Sequence, residues 1–462
     1  MDPSIQLCQI TDSFKQTVYY HPDILNQAYP RGNDEKEIVL NPKIEYQPPQ
    51  TSFNSPSTSS SPNSTSLISN FNIYIDQDRY EVLNTLRKEF DRYTSDQIDE
   101  AKNRTNPFFD IGNSIFGNRA GIKLANIDAV FTLFNNGIDF ENRQSMLPIT
   151  FLDIAGGPGA MTQYLQYRYP LSQGMGVTLT GELDWAFDAY HIDRTRFEKL
   201  GTTGNVLTEY NNVFQAVLHS DVSSGGLDLI IADGDPLLSE VARERGVDIT
   251  TLYADKEWIA SRLIITEIYL ALAVSKPGSK IVIKIFDVMT NFMAQLVYLV
   301  SCCFKHIVLF KPVTSYAGNT ERYLVGIDRL PNVRGVVSIL GSVLPLYDSE
   351  RWVSNIIEDA DLPAKFKVWL TAQNNIMLEN QIEAVRRSLA YLANPQSYKI
   401  SNEYDISKFT VIWNLPSGSE KRQSHKRGQG NRVVQGAQGN QGSQIGLARS
   451  LRSGPRSNQS SQ

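Results

Sequence analysis

Between about residues 75 and 410 the chain alternates short runs of β-branched and other apolar residues with segments of helical spacing. The apolar runs predict buried strands, among them ITFLDIA (149–155), LDLIIAD (227–233) and KIVIKIFD (280–287). Residues 258–274 have the composition of an apolar helix between the last two. Further strands and helices are predicted at 174–179, 306–312, 322–328, 77–103 and 160–169. Strands that alternate with helices predict a doubly wound α/β sheet with helices on both faces.

Composition divides the 462-residue chain into five segments. Residues 47–75 are rich in Pro, Ser, Thr and Asn, which predicts a low-complexity linker behind an N-terminal arm at 1–46. The α/β pattern occupies residues 76–330. Helical spacing then predicts a C-terminal extension or cap at 331–415, and a disordered basic tail follows at 416–462.

The net charge of −5 argues against a protein that coats nucleic acid over its whole surface. The tail, however, has eight basic residues against one acidic residue, which leaves a charge of −12 on the rest of the chain. Such a tail suits contact with RNA or with acidic partner proteins, and a solubilising tail is the alternative.

Three cysteines, of which Cys302 and Cys303 are neighbours, exclude a disulfide framework and a cysteine-based zinc site. No histidine has a partner at metal spacing, so we predict no metal ion. The most apolar stretch, residues 296–304, is about half the length of a membrane span, and the first residues lack the pattern of a signal peptide. We therefore expect an intracellular protein, with nucleus and cytoplasm both open, that contacts no membrane.

The strand at 149–155 runs into Gly156-Gly157-Pro158-Gly159, and a helix follows. Glycines let a backbone approach a ligand closely, and the amides at a helix start favour a carboxylate. S-adenosylmethionine has such a carboxylate. The pattern is not the G-x-G-x-x-G of dinucleotide sites, and a strand–helix turn without a ligand is the alternative reading.

Two carboxylates stand at predicted strand ends, Asp233 closing 227–233 and Glu321 just before 322–328. Two lysines accompany them: Lys284 lies inside the apolar strand 280–287, and Lys123 lies upstream of the glycine turn. In a doubly wound sheet the four can converge at one edge and perturb each other's pKa values. A lysine pushed toward neutrality can take a proton from a hydroxyl, which suits methyl transfer to a ribose 2′-oxygen. Two structural ion pairs are the alternative.

Several motifs of the sequence resemble, in order and spacing, those of the FtsJ-like 2′-O-ribose methyltransferases, and above all those of the eukaryotic enzymes that make the cap-1 mark on messenger RNA. The motifs are NPF (106–108), NRAGIKLANID (118–128), DIAGGPG (153–159), GMGVTLTG (174–181), IADG (231–234), IKIFD (283–287) and FKPVTS with NTERYLV (310–325).

The resemblance implies a Rossmann-like methyltransferase sheet and assigns roles to residues. Lys123, Asp233, Lys284 and Glu321 match the family's catalytic tetrad, with Lys284 as the general base. The S-adenosylmethionine site would consist of Asn118, Ala155, Gly156, Gly157, Pro158, Gly159, Ala160, Met161, Asn205 and Val206, the last two at the adenosine. Lys102 and Asn319 would contact capped RNA. Tyr316 stands where the family has an arginine, which removes a phosphate contact or replaces it by base stacking.

The implied activity is methylation of the first transcribed nucleotide of capped mRNA, from cap-0 to cap-1. Capped mRNA would be the partner, and the basic tail could recruit other capping or transcription proteins. Two alternatives stay open: a 2′-O-methyltransferase of ribosomal or transfer RNA, and a catalytically silent RNA-binding subunit of a capping complex. The lean organisation suits a virus or a protist.

Overall fold

The computed structural model describes residues 42–47, 74–109, 111, 116–134, 138–139, 144–247, 252, 256–347, 352–396, 398 and 406–416. Most of the predicted N-terminal arm, the linker from residue 48 to 73 and the tail from residue 417 lie outside the described residues.

A seven-stranded sheet forms the centre of the fold. Its strands are β1 (Thr150–Ile154), β2 (Gln173–Val177), β3 (Phe197–Lys199), β4 (Leu227–Ala232), β5 (Ser275–Ile285), β6 (Phe304–Phe310) and β7 (Arg322–Arg329). They lie in the order β3-β2-β1-β4-β5-β7-β6, and all pair in parallel except β7, which is antiparallel to both neighbours. The predicted doubly wound sheet is confirmed. Sequence reasoning missed β3, which is only three residues long and too short to show a pattern.

The α-helices among the described residues are α1 (Gln77–Lys88), α2 (Ser95–Arg104), α3 (Arg119–Phe131), α4 (Ala160–Arg168), α5 (Val206–His219), α6 (Leu238–Arg245), α7 (Lys256–Val274), α8 (Asn291–Ser301), α9 (Arg334–Val343), α10 (Ala364–Ala393) and α11 (Ile406–Ile412). None of them combines the length and the apolar character that crossing a bilayer requires.

Both faces of the sheet are buried, which explains why its strands are apolar throughout. In β4, Leu229 and Ile231 pack against α3 and α4, whereas Ile230 and Ala232 belong to the core formed with α5, α7 and α8. Successive side chains of a strand point to opposite faces, so each face receives every second residue. The carboxyl ends of the parallel strands are thereby left as the open edge of the sheet.

The helix predicted at 77–103 is divided in two. Helix α1 ends at Lys88, and α2 begins after Thr94, whose hydroxyl accepts a hydrogen bond from the Gln97 amide. The Gln97 side chain in turn accepts one from the Thr94 amide at 3.0 Å. This reciprocal capping box starts a new helix within a continuous periodic pattern.

The extension at 331–415 is not helical throughout. Helices α9, α10 and α11 lie in it, but residues Trp352–Ile357 form a strand that pairs antiparallel with Pro42–Gln47. The pairing joins the end of the predicted N-terminal arm to the C-terminal extension. A strand whose partner lies about 300 residues away leaves no local signal of that pairing in the sequence.

Helix α10 is 30 residues long and connects the N-terminal helices to the open edge of the sheet. The buried Asn374 donates to the carbonyls of Val288 and Tyr74 at 2.8 and 2.9 Å, and accepts from Arg322 at 2.7 Å. Two turns further on, Gln381 donates to the carbonyl of Asn319 at 3.1 Å. Helix α10 therefore supports both the loop after β5 and the loop before β7.

We expect Asn374→Ala to lower the free energy of unfolding by about 3 kcal/mol, because it leaves buried polar partners of Asn374 without a hydrogen bond. Urea unfolding followed by circular dichroism measures the change. Asn212→Ala, at an exposed position of α5, is the matched control and should stay within about 0.5 kcal/mol of the wild type. Equal effects of the two substitutions would contradict this account of α10.

Candidate active site

Strand register brings Asp233, Lys284 and Tyr323 to the same level at the open edge of the sheet. Ala232 at the end of β4 pairs with Ile283 of β5, so Asp233 comes level with Lys284. On the other side of β5, Lys284 pairs with Tyr323 of β7. Lys284 is completely buried at this junction of three strands.

The four residues predicted to converge do meet at this edge. The Lys284 Nζ lies 3.3 Å from Oδ1 of Asp233, and the Lys123 Nζ lies 2.7 Å from Oε1 of Glu321. The Tyr323 hydroxyl donates to the same oxygen of Asp233 at 2.7 Å. Lys123 reaches the site from the second turn of α3, which begins at the N-cap Asn118.

The expectation of a lysine pushed toward neutrality is wrong for Lys284 in this arrangement. Burial lowers the pKa of Lys284, but the carboxylates around it outweigh burial and raise the pKa above the usual value. These carboxylates are Asp233, Asp235, Glu321 and Glu267. Sequence reasoning considered two carboxylates at the site, whereas the fold adds Asp235, 3.4 Å from the lysine, and the buried Glu267.

Glu321 is held by the loop between β6 and β7. Burial raises the pKa of Glu321, but Lys123, Lys284 and Lys311 lower it further, so the net shift is downward. The Ser315 hydroxyl donates to Oε1 of Glu321 at 2.6 Å. Lys311 binds the backbone carbonyl of Glu321, and burial lowers the pKa of Lys311 to about 7. The loop thus presents Glu321 as a carboxylate that accepts both a hydroxyl and an ammonium.

Tyr323, Lys311 and Glu267 were missed by the sequence reasoning. A signal existed for two of them: Lys311 lies within the run HIVLFKP (306–312), and Glu267 interrupts the apolar helix at 258–274. A charged residue in an apolar run is costly unless the fold gives it a partner or a function. Tyr323 carried no such signal, because a tyrosine is ordinary in a strand.

The glycine turn after β1 is packed more tightly than a ligand alone would require. A Cβ at Gly156 would lie 2.1 Å from Oδ1 of Asp153, and one at Gly157 would lie 1.9 Å from the Leu183 carbonyl. Gly159 has a φ of +113°, in the region that favours glycine, and serves as the N-cap of α4. These glycines are therefore needed by the turn itself, whether or not a ligand approaches it.

The residues of this turn nonetheless fit a donor that carries an amino acid group. Gly159 has no side chain with which to cap the first amides of α4, and of these amides that of Thr162 is a donor to Asp153. Amides at a helix start favour a carboxylate. Oδ1 of Asp153 is buried without a hydrogen-bond partner, while Oδ2 accepts from Thr162 at 2.6 Å. An unpaired buried acceptor beside unclaimed donors is typical of a binding site.

The glycine turn adjoins the charged cluster that Lys123, Asp233, Lys284 and Glu321 form. The Asp233 amide donates to the carbonyl of Ile154 at 3.3 Å, and a Cβ at Gly234 would lie 3.3 Å from Cβ of Ala155. Ala155 itself has a φ of +52°, uncommon for a residue with a side chain. A molecule bound along the turn would consequently lie next to Asp233.

Residues 116–329 match the family model described as "FtsJ-like methyltransferase". The match contains all four residues of the charged cluster and the whole glycine turn. Residues 116–329 form an FtsJ-like methyltransferase domain.

Named relatives extend the likeness beyond this methyltransferase domain. Cap-specific mRNA (nucleoside-2′-O-)-methyltransferase 1 of Ailuropoda melanoleuca is 28% identical over 354 residues, which cover 71% of this chain and 40% of the relative. The protein of the same name from Drosophila melanogaster is 28% identical over 362 residues, covering 73% and 44%. The chain thus spans less than half the length of these relatives.

Among solved structures, an O-methyltransferase family protein from Burkholderia thailandensis aligns with a TM-score of 0.29 and 15% sequence identity, and the alignment covers 46% of this chain and 57% of that one.

Asn118, Asn205 and Val206 lie at two helix starts of the methyltransferase domain. Asn118 caps α3 by accepting from the Ala120 amide at 2.9 Å, and Asn205 caps α5 by accepting from the Leu207 amide at 3.1 Å. Val206 is the first residue of α5 and is buried in the core. Both asparagines therefore have a structural function in addition to the donor contacts that the family resemblance implies.

The loop before Asn205 is held by Glu209 of α5. The Glu209 carboxylate accepts hydrogen bonds from the amides of Thr202, Thr203 and Gly204 at 2.9 to 3.1 Å. The Thr203 amide contributes most to a lowered pKa of Glu209. An ionised Glu209 consequently determines where this loop presents Asn205.

The two residues expected at capped RNA both lie close to Tyr316. Lys102 of α2 lies 3.6 Å from Asp99, with its Nζ 5.9 Å from the centre of the Tyr316 ring. Oδ1 of Asn319 accepts from the Glu321 amide at 3.2 Å and also binds Lys311. The Tyr316 hydroxyl lies 3.1 Å from Oγ of Ser388 on α10, so this tyrosine is packed against the extension. Of the two alternatives for Tyr316, loss of the phosphate contact fits this packing better than base stacking.

The described part of the methyltransferase domain contains no group of three or more histidine, cysteine, aspartate or glutamate side chains suited to hold a metal ion.

Asp153 makes the stability of the domain depend on pH. Complete burial raises its pKa to about 7, against a hydrogen bond from Thr162 that lowers it. From the usual aspartate pKa up to about pH 7, the unfolded chain loses a proton that the folded chain keeps, so stability falls as pH rises. We expect the unfolding free energy of the wild type to fall relative to Asp153→Asn by roughly 4 kcal/mol over this range.

Urea titrations of both proteins at several pH values between 4 and about 8 test this expectation. Asp221→Asn, at an exposed turn position, controls for the exchange itself and should change the unfolding free energy by less than about 0.5 kcal/mol. A difference between wild type and Asp153→Asn that stays constant with pH would show that Asp153 is ionised in the fold.

Proposed function

We propose that this protein is an S-adenosylmethionine-dependent RNA methyltransferase that converts cap-0 to cap-1 by methylating the ribose 2′-oxygen of the first transcribed nucleotide of capped mRNA. The observation that carries the proposal is the meeting of Lys123, Asp233, Lys284 and Glu321 at the sheet edge, beside the glycine turn. The names of the two relatives support the cap-specific substrate.

In this proposal the unprotonated form of Lys284 is the general base that takes the proton from the ribose 2′-hydroxyl. Asp233 orients Lys284 and is itself held by the Tyr323 hydroxyl. Lys123 and Glu321 form the ion pair that positions the ribose on the other side. A bound sulfonium donor supplies an electrophilic methyl group and a positive charge that opposes the carboxylates around Lys284.

The donor would be held along the turn from Ala155 to Met161, with its carboxylate at the start of α4 and with Asp153 beneath it. Asn118 would approach from α3, and Asn205 with Val206 would face the adenosine. The fit rests on the unpaired oxygen of Asp153 and the amides of α4 without a side-chain cap.

Capped RNA would approach the same edge from the side of α2 and α10. Lys102 supplies a positive charge there, and Asn319 belongs to the loop that carries Glu321. We propose these two residues as RNA contacts. The basic tail at 416–462 is the segment we propose for contacts with RNA or with acidic capping or transcription proteins.

Lys284→Ala should lower 2′-O-methylation of a cap-0 transcript by at least about a hundredfold, because it removes the base. The assay uses labelled donor and a short capped RNA, and mass spectrometry maps the methylated nucleotide. Lys305→Ala, an exposed lysine on β6, is the control and should keep wild-type activity. Full activity of Lys284→Ala would contradict the role of Lys284.

Parallel reactions with uncapped transcript, ribosomal RNA and transfer RNA test the substrate class. Methylation that requires the cap and occurs on the first transcribed nucleotide supports the proposal. Methylation independent of the cap would favour the ribosomal or transfer RNA alternative, and calorimetry that detects no binding of S-adenosylmethionine would favour a silent subunit.

Glu209→Gln should weaken binding of the donor about tenfold, because glutamine replaces one of the oxygens that face the loop amides with an NH₂ group. Calorimetry with S-adenosylmethionine measures the dissociation constant. Glu240→Gln, an exposed glutamate on α6, should leave it unchanged. Unchanged affinity in Glu209→Gln would mean that the loop before Asn205 does not hold the donor.

A further inference from the structure

Glu267 is a buried carboxyl group that the proposed mechanism does not use. It lies in the middle of the apolar helix α7 and has no exposed surface. Among the described residues no side chain donates a hydrogen bond to its carboxyl group, which faces the backbone amide of Gly234. A carboxyl group this deeply buried with so little hydrogen bonding is rare, and it asks for an explanation.

Glu267 lies beside the residues that surround Lys284. A Cβ at Gly234 would lie 2.2 Å from Oε1 of Glu267, so the carboxyl group packs against the residue that follows Asp233. Lys284 lies on the neighbouring strand and interacts electrostatically with Glu267. Glu267 therefore lies next to Gly234, beside the end of the cluster that Asp233 and Lys284 form.

The charged groups around Glu267 and Lys284 come from several elements. Besides acting on each other, the two residues are influenced by Asp233 and Asp235 after β4, and Lys284 also by Glu321 before β7. The two aspartates have partners of their own: the Tyr323 hydroxyl of β7 binds Asp233, and Lys256 of α7 pairs with Asp235. Burial raises the pKa of Glu267 well above its usual value, Lys284 opposes this rise, and Asp233 and Asp235 add to it. Burial and the two aspartates thus favour the protonated, uncharged form of Glu267, and Lys284 favours the ionised form.

We propose that Glu267 is a positioning residue whose charge controls that of Lys284: an uncharged Glu267 lets Lys284 release its proton, and an ionised Glu267 holds Lys284 as an ammonium. The inference rests on the proposed function, in which Lys284 is the base. The two groups form a coupled pair, so that an ionised Glu267 delays deprotonation of Lys284, whereas a charged Lys284 favours ionisation of Glu267. As pH rises, Glu267 thereby limits the fraction of enzyme with a neutral lysine.

The test is the pH dependence of kcat for the full chain on capped RNA at saturating donor. Glu267→Gln keeps the shape of the side chain but cannot ionise, so the pH of half-maximal kcat should move about one unit lower than in the wild type. Glu267→Met, which also lacks a charge and suits an apolar helix, should move it in the same direction and covers the case in which the glutamine variant does not fold.

Glu257→Gln is the matched control, because Glu257 is also buried in α7 but faces the amides of Met289 and Thr290. It should lower stability and leave the midpoint in place. An unchanged midpoint in Glu267→Gln, or a shift to higher pH, would overturn the inference. A purely structural role of Glu267 would change stability without moving the midpoint.

A second measurement does not depend on activity. Carbon-13 NMR of protein labelled at glutamate Cδ should show one resonance that disappears in Glu267→Gln and whose titration changes in Lys284→Ala. If that resonance titrates identically with and without the lysine, the two groups are not coupled and the inference fails. If coupling is found but neither wild type nor variants methylate capped RNA, the proposed function fails and the coupling stands.

Discussion

The burial of Lys284 is the constraint on which the rest of the site depends. An ammonium group without solvent contact is strongly destabilised unless carboxylates surround it. Here the carboxylates come from the end of β4, the start of β7 and the middle of α7, so the lysine can be accommodated only if these elements are adjacent. The strand order and the antiparallel insertion of β7 next to β5 meet this requirement.

The loops around the site are also held by polar contacts with neighbouring elements. Glu321 is held through Ser315 and Lys311, the loop before Asn205 is held through Glu209, and both loops near β5 and β7 contact α10. Most of these contacts join a side chain to a backbone group. Loops that carry functional residues are thereby fixed by rigid helices and strands, which is how a site keeps its geometry without a ligand.

Most of the central fold could be predicted from the sequence. Six of the seven strands, the apolar helix at 258–274 and the helix after the glycine turn followed from apolar runs and turn residues. The division of 77–103 had a visible signature in the sequence Thr94-Ser95-Asp96-Gln97 that the periodicity concealed. The strand at Trp352–Ile357 lacked such a signature, because its partner lies at the other end of the chain.

The charge state of Lys284 shows the limit of such reasoning most clearly. A lysine within an apolar strand has to be paired or deprotonated, and burial alone would push it toward neutrality, but in the fold Asp233, together with Asp235, Glu321 and Glu267, outweighs burial and reverses the direction. The sequence by itself determined the alternation of strands and helices, the glycine turn and the residue types of the site, because these follow from local patterns. Only the tertiary structure decided which charges face one another, because electrostatic interaction depends on distance in space rather than on separation along the chain.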